Sequence, residues 1–205
     1  MGIPSAMVDV TTGWSERVAV MGRGQRAMEA GFEHLLTRLP FAVVEWHPDN
    51  GSEFFNAHLV RYWKEKVVGV QLSRSRPYQK NDTRLVEQKN DTLVRQYFGD
   101  LRFDRPEQIE AMNALYEQMW LSSNLLQPVM HLIEKTAVGD KVRRQWDQAR
   151  TPFERLKATG KLSAEQEQRL QTLYDQTNPQ HLREEIYQRL AQLWSQSMAS
   201  AMEVA

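Results

Sequence analysis

The sequence predicts an α/β (α+β) protein: a mixed sheet-and-helix core over residues 1–98, followed by an all-helical region over 99–205. Three observations predict it. Short β-branched runs separated by turn residues crowd the first 72 positions. An apolar repeat at helical spacing interrupts them at 25–39, and beyond Thr83 the apolar positions recur only in helical steps. At 205 residues and 41% hydrophobic, the chain is long enough for a sizeable core.

Ala6–Thr12 and Ser15–Met21, divided by Gly13-Trp14, read as a hairpin. From Gln25 to Leu39, residues Ala27, Met28, Gly31, Phe32, Leu35 and Leu36 trace one helix face, which Pro40 ends. Phe41–Trp46 reads as a buried strand whose carboxyl end leads through Pro48-Asp49-Asn50-Gly51 into a helix of about 53–66. Val67–Leu72 is a further strand, and Ser73–Asp82 a polar loop.

Later breaks fall near Gly99-Asp100, Gly139-Asp140, Gly160 and Thr177-Asn178. Pro128 is expected to kink or divide a long helix over 106–137. Thr151-Pro-Phe-Glu154 and Ser163-Ala-Glu-Gln166 match capping boxes, and Asn178-Pro179 offers a cap followed by a first-turn proline. The apolar faces of 106–137 and 164–198 predict a small bundle packed on the core or on a second copy. Trp46, Trp63, Trp120, Trp146 and Trp194 lie in apolar patterns and are expected in the core.

Composition excludes several classes. There is no cysteine, hence no disulfide, thiolate nucleophile or zinc–cysteine site. The five histidines are scattered, without a helical pair at metalloprotease spacing, and Gly22-Arg-Gly-Gln25 lacks the length and lysine of a phosphate loop. The 26 Lys and Arg balance 26 Asp and Glu, so any polyanion partner must be recognised by local charge. Arg74, Arg76, Lys80, Arg84 and Lys89 form one such concentration, and 141–161 holds seven basic residues against Asp147 and Glu154. No targeting segment or run of eighteen apolar residues is evident, and a cytoplasmic location is expected.

Two acids stand in distinctive surroundings. Asp49 follows a strand, where the sheet fixes a carboxylate while the loop leaves it open. Glu87 lies in a predicted helix beside Thr83, Arg84, Asn90 and Asp91, a polar face rather than a packing one. The runs Asp49-Asn-Gly-Ser-Glu-Phe54, Arg74-Ser-Arg-Pro-Tyr78 and Asn81-Asp82 … Val86-Glu87-Gln88-Lys89-Asn90 resemble the integrase core (DDE-type) of bacterial insertion-sequence transposases, relatives of retroviral integrases. The likeness extends upstream through Val8-Asp-Val-Thr-Thr-Gly-Trp-Ser-Glu16, and 37 residues separate Asp49 from Glu87, close to the spacing customary in that family.

The resemblance implies a ribonuclease-H-like sheet on which two Asp and one Glu hold Mg²⁺ or Mn²⁺ for DNA strand transfer. Asp49 matches the second Asp and Glu87 the Glu. It also implies DNA, transposon ends and target alike, as partner, together with a second copy or an intact transposase. Arg74, Arg76, Lys80, Arg84 and Lys89 would neutralise phosphates and Tyr78 would stack on a base. The family's first Asp belongs on a strand upstream of the opening hairpin; Asp9, before the Gly13-Trp14 turn, is expected to be a strand or turn residue, and the chain an N-terminally truncated core, inactive alone. The alternative is a non-catalytic DNA-binding or helical oligomerisation module derived from a transposase. Two departures bear on activity: His47-Pro48 before Asp49, and Thr83-Arg84-Leu85 before Val86-Glu87.

Overall fold

The computed structural model describes residues 2–22, 24–47, 57–67, 69–73, 96–98, 103–138 and 141–203. They form a mixed α/β fold with three two-stranded sheets.

Strands β1 (Gly2–Val8) and β2 (Ser15–Met21) make an antiparallel hairpin in register from Gly2↔Met21 to Val8↔Ser15. The expected first strand is displaced toward the N-terminus, because Asp9 to Gly13 are used by the turn. The Gly13 amide donates to the Asp9 carbonyl at 2.8 Å, and Gly13 takes φ 77°, a conformation that favours glycine.

Both faces of β2 are covered. On one side Val18 and Val20 join Met7 and helix α1 (Gln25–Arg38), through Met28, Phe32 and Leu35. Gly31 lets α1 approach closely, since a Cβ there would sit 2.8 Å from Val20 Cγ1. Leu39 is extended, as a residue before proline must be, and α1 stops there.

Strands β3 (Glu45–Trp46) and β4 (Gln71–Leu72) pair in parallel and are joined through helix α2 (Ala57–Lys66), the crossover a parallel pair requires. The strand expected over 41–46 is thus only two residues long, and Val44 is 72% exposed. Trp46 stacks on Trp63 of α2, centroids 4.5 Å apart, and Phe32 meets both rings edge-on. This aromatic trio ties β3, α1 and α2 into one core.

The other face of β2 meets helix α4 (Pro106–Leu121), which follows the short α3 (Gln96–Phe98). Ile109, Met112, Leu115, Tyr116 and Met119 pack with Ala19, Phe98, Phe103 and with Leu182, Ile186, Leu190 and Leu193 of α7 (Pro179–Glu203). Side chains on both sides of residue 98 therefore share this cluster.

The expected long helix over 106–137 ends early. After α4 the chain makes a π-helical turn, Ser122–Leu126, and becomes extended at Gln127, immediately before Pro128. The region beyond 99 is not all-helical: β5 (Leu132–Val138) and β6 (Lys141–Trp146) form a second antiparallel hairpin. β-Branched Ile133, Thr136, Val138 and Val142 suit strands, and Gly139-Asp140 lies between them as a two-residue connection in the sequence.

Helices α5 (Pro152–Ala158) and α6 (Ala164–Gln176) begin at the expected capping boxes. Thr151 and Ser163 accept from the amides of Glu154 and Gln166, whose side chains accept the cap amides in return. At α7 the Asn178 side chain accepts from the amides of Gln180 and His181. A third cluster joins Trp14 and Leu125 to Phe153, Leu156 and Leu170. Of the tryptophans expected in the core, Trp63 is buried and Trp46 and Trp120 are half-buried; Trp146 and Trp194 are exposed.

Candidate functional site

The parallel pair β3–β4 brings two carboxyl ends to one edge. Gln71 donates to the Val44 carbonyl and Ser73 to the Trp46 carbonyl, and beyond the strands His47 Nδ1 lies 2.7 Å from Ser73 Oγ. His47 and Ser73, the described residues that precede the Asp49 and the Arg74–Lys80 segments in the sequence, are therefore adjacent at the carboxyl ends of the pair. Asp49, Glu87, Arg74, Arg76, Tyr78, Lys80, Arg84 and Lys89 themselves lie outside the described residues.

Asp9 is a turn residue. One of its carboxylate oxygens, Oδ2, accepts from the Thr12 amide at 2.8 Å and the Thr12 hydroxyl at 2.6 Å, while its backbone closes the turn with Gly13 and Trp14. Among the described residues, no group of three or more His, Asp or Glu side chains is arranged to hold a metal ion.

A polar network buried beneath the first hairpin has no counterpart among the expected site residues. Glu16, 0% exposed, accepts on Oε1 from the indoles of Trp14 (2.9 Å) and Trp120 (2.6 Å), and on Oε2 from Arg38 Nε at 2.9 Å. Arg38 also pairs with Glu117 and lies over the Trp120 ring. Both carboxylate oxygens of Glu16 are thus engaged inside the fold, which makes it structural. Beside it, Arg17 donates to the Met119 carbonyl and the Ser123 hydroxyl and sits over Tyr116. Burial lowers the Arg17 guanidinium to about 10 and raises the Tyr116 phenol.

Two asparagines complete the network. Asn124 accepts from the Ser15 amide at 2.9 Å and donates to the Ser15 carbonyl at 2.8 Å; Asn113 does the same at Ala19, at 2.7 and 3.0 Å. Each side-chain amide stands in for a neighbouring strand at the edge of β2 opposite β1. The available sequence signal was Ser15-Glu16-Arg17, polar residues inside a strand pattern.

The basic stretch 141–161 does not form one surface. Lys141, Arg143 and Arg144 are exposed on β6. Arg155 instead grips the base of the second hairpin. It donates to both carboxylate oxygens of Asp147 (2.6 and 3.0 Å) and to the carbonyls of Val129 and Gln148, while Asp147 also accepts from the His131 amide. These bonds hold the Asp147 carboxyl at about 2, well below its ordinary range. Lys157 pairs with Glu167 and lies over Phe153.

Fold and site together define a mixed α/β domain: a hairpin sandwiched between helices, a short parallel β-α-β unit and a second hairpin standing clear of the core. Among the described residues, no helix is long and apolar enough to cross a membrane. No family model matches the chain. It is 34% identical over 149 residues to the uncharacterized protein y4rM of Sinorhizobium fredii (strain NBRC 101917 / NGR234), covering 73% of this chain and 42% of that one. The chain thus spans less than half the length of this curated relative. Among solved structures it is similar to the catalytic core domain of BIV integrase (TM-score 0.47, 19% identity, 78% of this chain and 88% of that one). It is also similar to a chain of the simian T-cell lymphotropic virus intasome in complex with PP2A regulatory subunit B56 gamma (TM-score 0.48, 19% identity, 62% and 44%).

Proposed function

We propose that this chain is the catalytic-core part of a DNA strand-transfer protein of the insertion-sequence transposase type. Asp49 and Glu87 are its metal-binding and catalytic carboxylates. Arg74, Arg76, Lys80, Arg84 and Lys89 contact DNA phosphates, and Tyr78 stacks on a base. The observation that carries the reading is the ordered set of motifs around Asp49, Arg74–Tyr78 and Glu87, with 37 residues between the two acids. The adjacency of the β3 and β4 ends, seen in the His47–Ser73 contact, is compatible with it, since these residues precede the acidic and the basic segment in the sequence.

The donor set suits a hard divalent cation, since carboxylate oxygens are the ligands that Mg²⁺ and Mn²⁺ prefer. Such an ion would supply charge stabilisation at the attacking and leaving oxygens of a phosphodiester. Asp9 is not assigned as a further ligand: it is a turn residue whose Oδ2 accepts from Thr12, and no other carboxylate or histidine among the described residues joins it in a metal-holding group.

Calorimetric titration of the full chain with Mn²⁺ tests the carboxylates. Asp49→Ala and Glu87→Ala are each expected to weaken binding at least tenfold with the fold intact by circular dichroism. Unchanged Mn²⁺ affinity in both variants would overturn the reading, and DNA strand transfer by this chain alone would overturn its expected inactivity. The DNA contacts are tested by the triple variant Arg74→Ser, Arg76→Ser, Lys80→Ser, for which weaker and less salt-sensitive duplex binding is expected.

A further inference from the structure

The second hairpin is a free-standing ribbon. Every described side chain of β5 and β6 is exposed, on both faces, so packing against the body does not account for its composition. The two strands carry Lys135, Lys141, Arg143 and Arg144 against Glu134, with Asp140 between them in the sequence. None of the four cations forms an ion pair among the described residues.

The register sharpens this. Lys135 lies directly opposite Arg144, two like charges side by side on one face, an arrangement that works against the hairpin unless an anion answers it. Leu132 and Trp146 pair on the same face, and Trp146 is 46% exposed. The opposite face presents Lys141 and Arg143. The ribbon's base is fixed: Val129 bridges Arg150, Asp147 and His131 exchange backbone and side-chain bonds, and Arg155 clamps Asp147. Cations on both faces of a narrow, rigidly rooted ribbon fit a partner that surrounds it with negative charge.

We infer that β5–β6 is a DNA-binding ribbon that enters the major groove of duplex DNA, its two faces turned toward the phosphates that flank the groove. Set edge-on, a ribbon about 10 Å thick from side chains of one face to those of the other suits a groove about 12 Å wide, its two strands about 5 Å apart fit within a depth of about 8.5 Å, and seven residues at roughly 3.3 Å each extend about 23 Å. A second copy of the ribbon is disfavoured as partner, because pairing two of them brings like charges together. The inference goes beyond the function proposed above and requires neither Asp49 nor Glu87.

The test is fluorescence anisotropy of the full chain on a labelled random-sequence duplex across a salt series. The variant carries Lys135→Ser, Lys141→Ser, Arg143→Ser and Arg144→Ser together. Binding at least tenfold weaker is expected, with a log–log salt slope shallower by about 3 to 4 if all four cations meet phosphates. Protection of guanine N7 from dimethyl sulfate by the wild-type chain is expected to disappear in the variant. A control, Arg169→Ser with Arg189→Ser on the exposed faces of α6 and α7, is expected to bind as the wild type does. Unchanged affinity and slope in the ribbon variant overturn the inference, as does an equal loss in the control. Binding to phosphatidylserine vesicles without binding to duplex also overturns it. The Arg74, Arg76, Lys80 variant separates the two claims: loss there alone removes the ribbon and keeps the earlier reading, and loss in the ribbon variant alone does the reverse.

Discussion

The chain contains two antiparallel hairpins, each with charged residues in its second strand, and they treat charge in opposite ways. In β2, Glu16 and Arg17 are buried and answered by indoles, a second arginine, a hydroxyl and a carbonyl. In β6, Arg143 and Arg144 are exposed and unanswered by any carboxylate among the described residues. A buried charge needs partners inside the fold, which Glu16 has on both oxygens and Arg17 on Nη2 though not on Nη1, whereas an exposed one is free for a partner. The first hairpin is therefore a structural element and the second an interaction element.

The strongest test of that contrast is Glu16→Ala. It leaves the indole N–H groups of Trp14 and Trp120 without their acceptor and takes one of the two carboxylate partners of Arg38, which keeps Glu117, and it is expected to cost roughly 1–3 kcal/mol per unsatisfied buried group by urea denaturation. A loss below about 1 kcal/mol would show that the network is a surface feature. Next comes Asn124→Ala, which leaves the Ser15 amide and carbonyl unpaired in a buried position, at roughly 1–3 kcal/mol per unsatisfied group. The opened edge of β2 also predicts faster amide exchange at Ser15, readable by NMR.

A helix cap gives a smaller, local effect. Thr151→Ala removes the acceptor of the Glu154 amide and is expected to cost about 1 kcal/mol. Because α5 carries Arg155, fraying there loosens the root of the ribbon, so increased exchange at His131 and Asp147 is the accompanying sign.

The Asp147–Arg155 clamp adds a pH dependence. The Asp147 carboxyl is held at about 2, below its unfolded value, so its contribution to stability is present above the unfolded pKa. It is lost as pH falls toward 2. The stability difference between wild type and Asp147→Asn is therefore expected to stay constant from neutral pH down to about 5 and to shrink below about 4. A difference that grows on acidification contradicts the clamp.

Local signals were the legible part of this fold. The Gly13 turn, the Pro40 stop and the capping boxes at Thr151 and Ser163 each depend on residues a few positions apart, and each is found where the sequence puts it. A helical segment over 106–137 that Pro128 kinks or divides, the expectation from periodicity, leaves no place for the ribbon. The restriction of Pro128 on Gln127, together with Gly139-Asp140 between β-branched runs, was enough to end the helix and open a hairpin. Trp146 and Trp194 were misplaced for a related reason: periodicity marks an apolar stripe without saying whether anything covers it. The Glu16 network was illegible because its partners, Arg38 and Trp120, are 22 and 104 residues away and only the tertiary fold brings them together. Asp49 and Glu87 stand out by the residues around them in the sequence, and the described structure contributes the paired strand ends at His47 and Ser73.

The smallest expected effect bears most directly on the contrast between the hairpins. Replacing Lys135, Lys141, Arg143 and Arg144 by serine removes four charges from a strand pair, yet stability is expected to change by no more than about 0.5 kcal/mol. The lost like-charge opposition of Lys135 and Arg144 even favours a slight gain. Urea denaturation of the same protein sample used for DNA binding checks this. If the four residues stabilise the body, their loss lowers the transition midpoint and weaker DNA binding follows trivially from unfolding. If the midpoint holds while duplex affinity falls, charge in β5–β6 serves recognition, just as the charge of Glu16 in β2 serves folding.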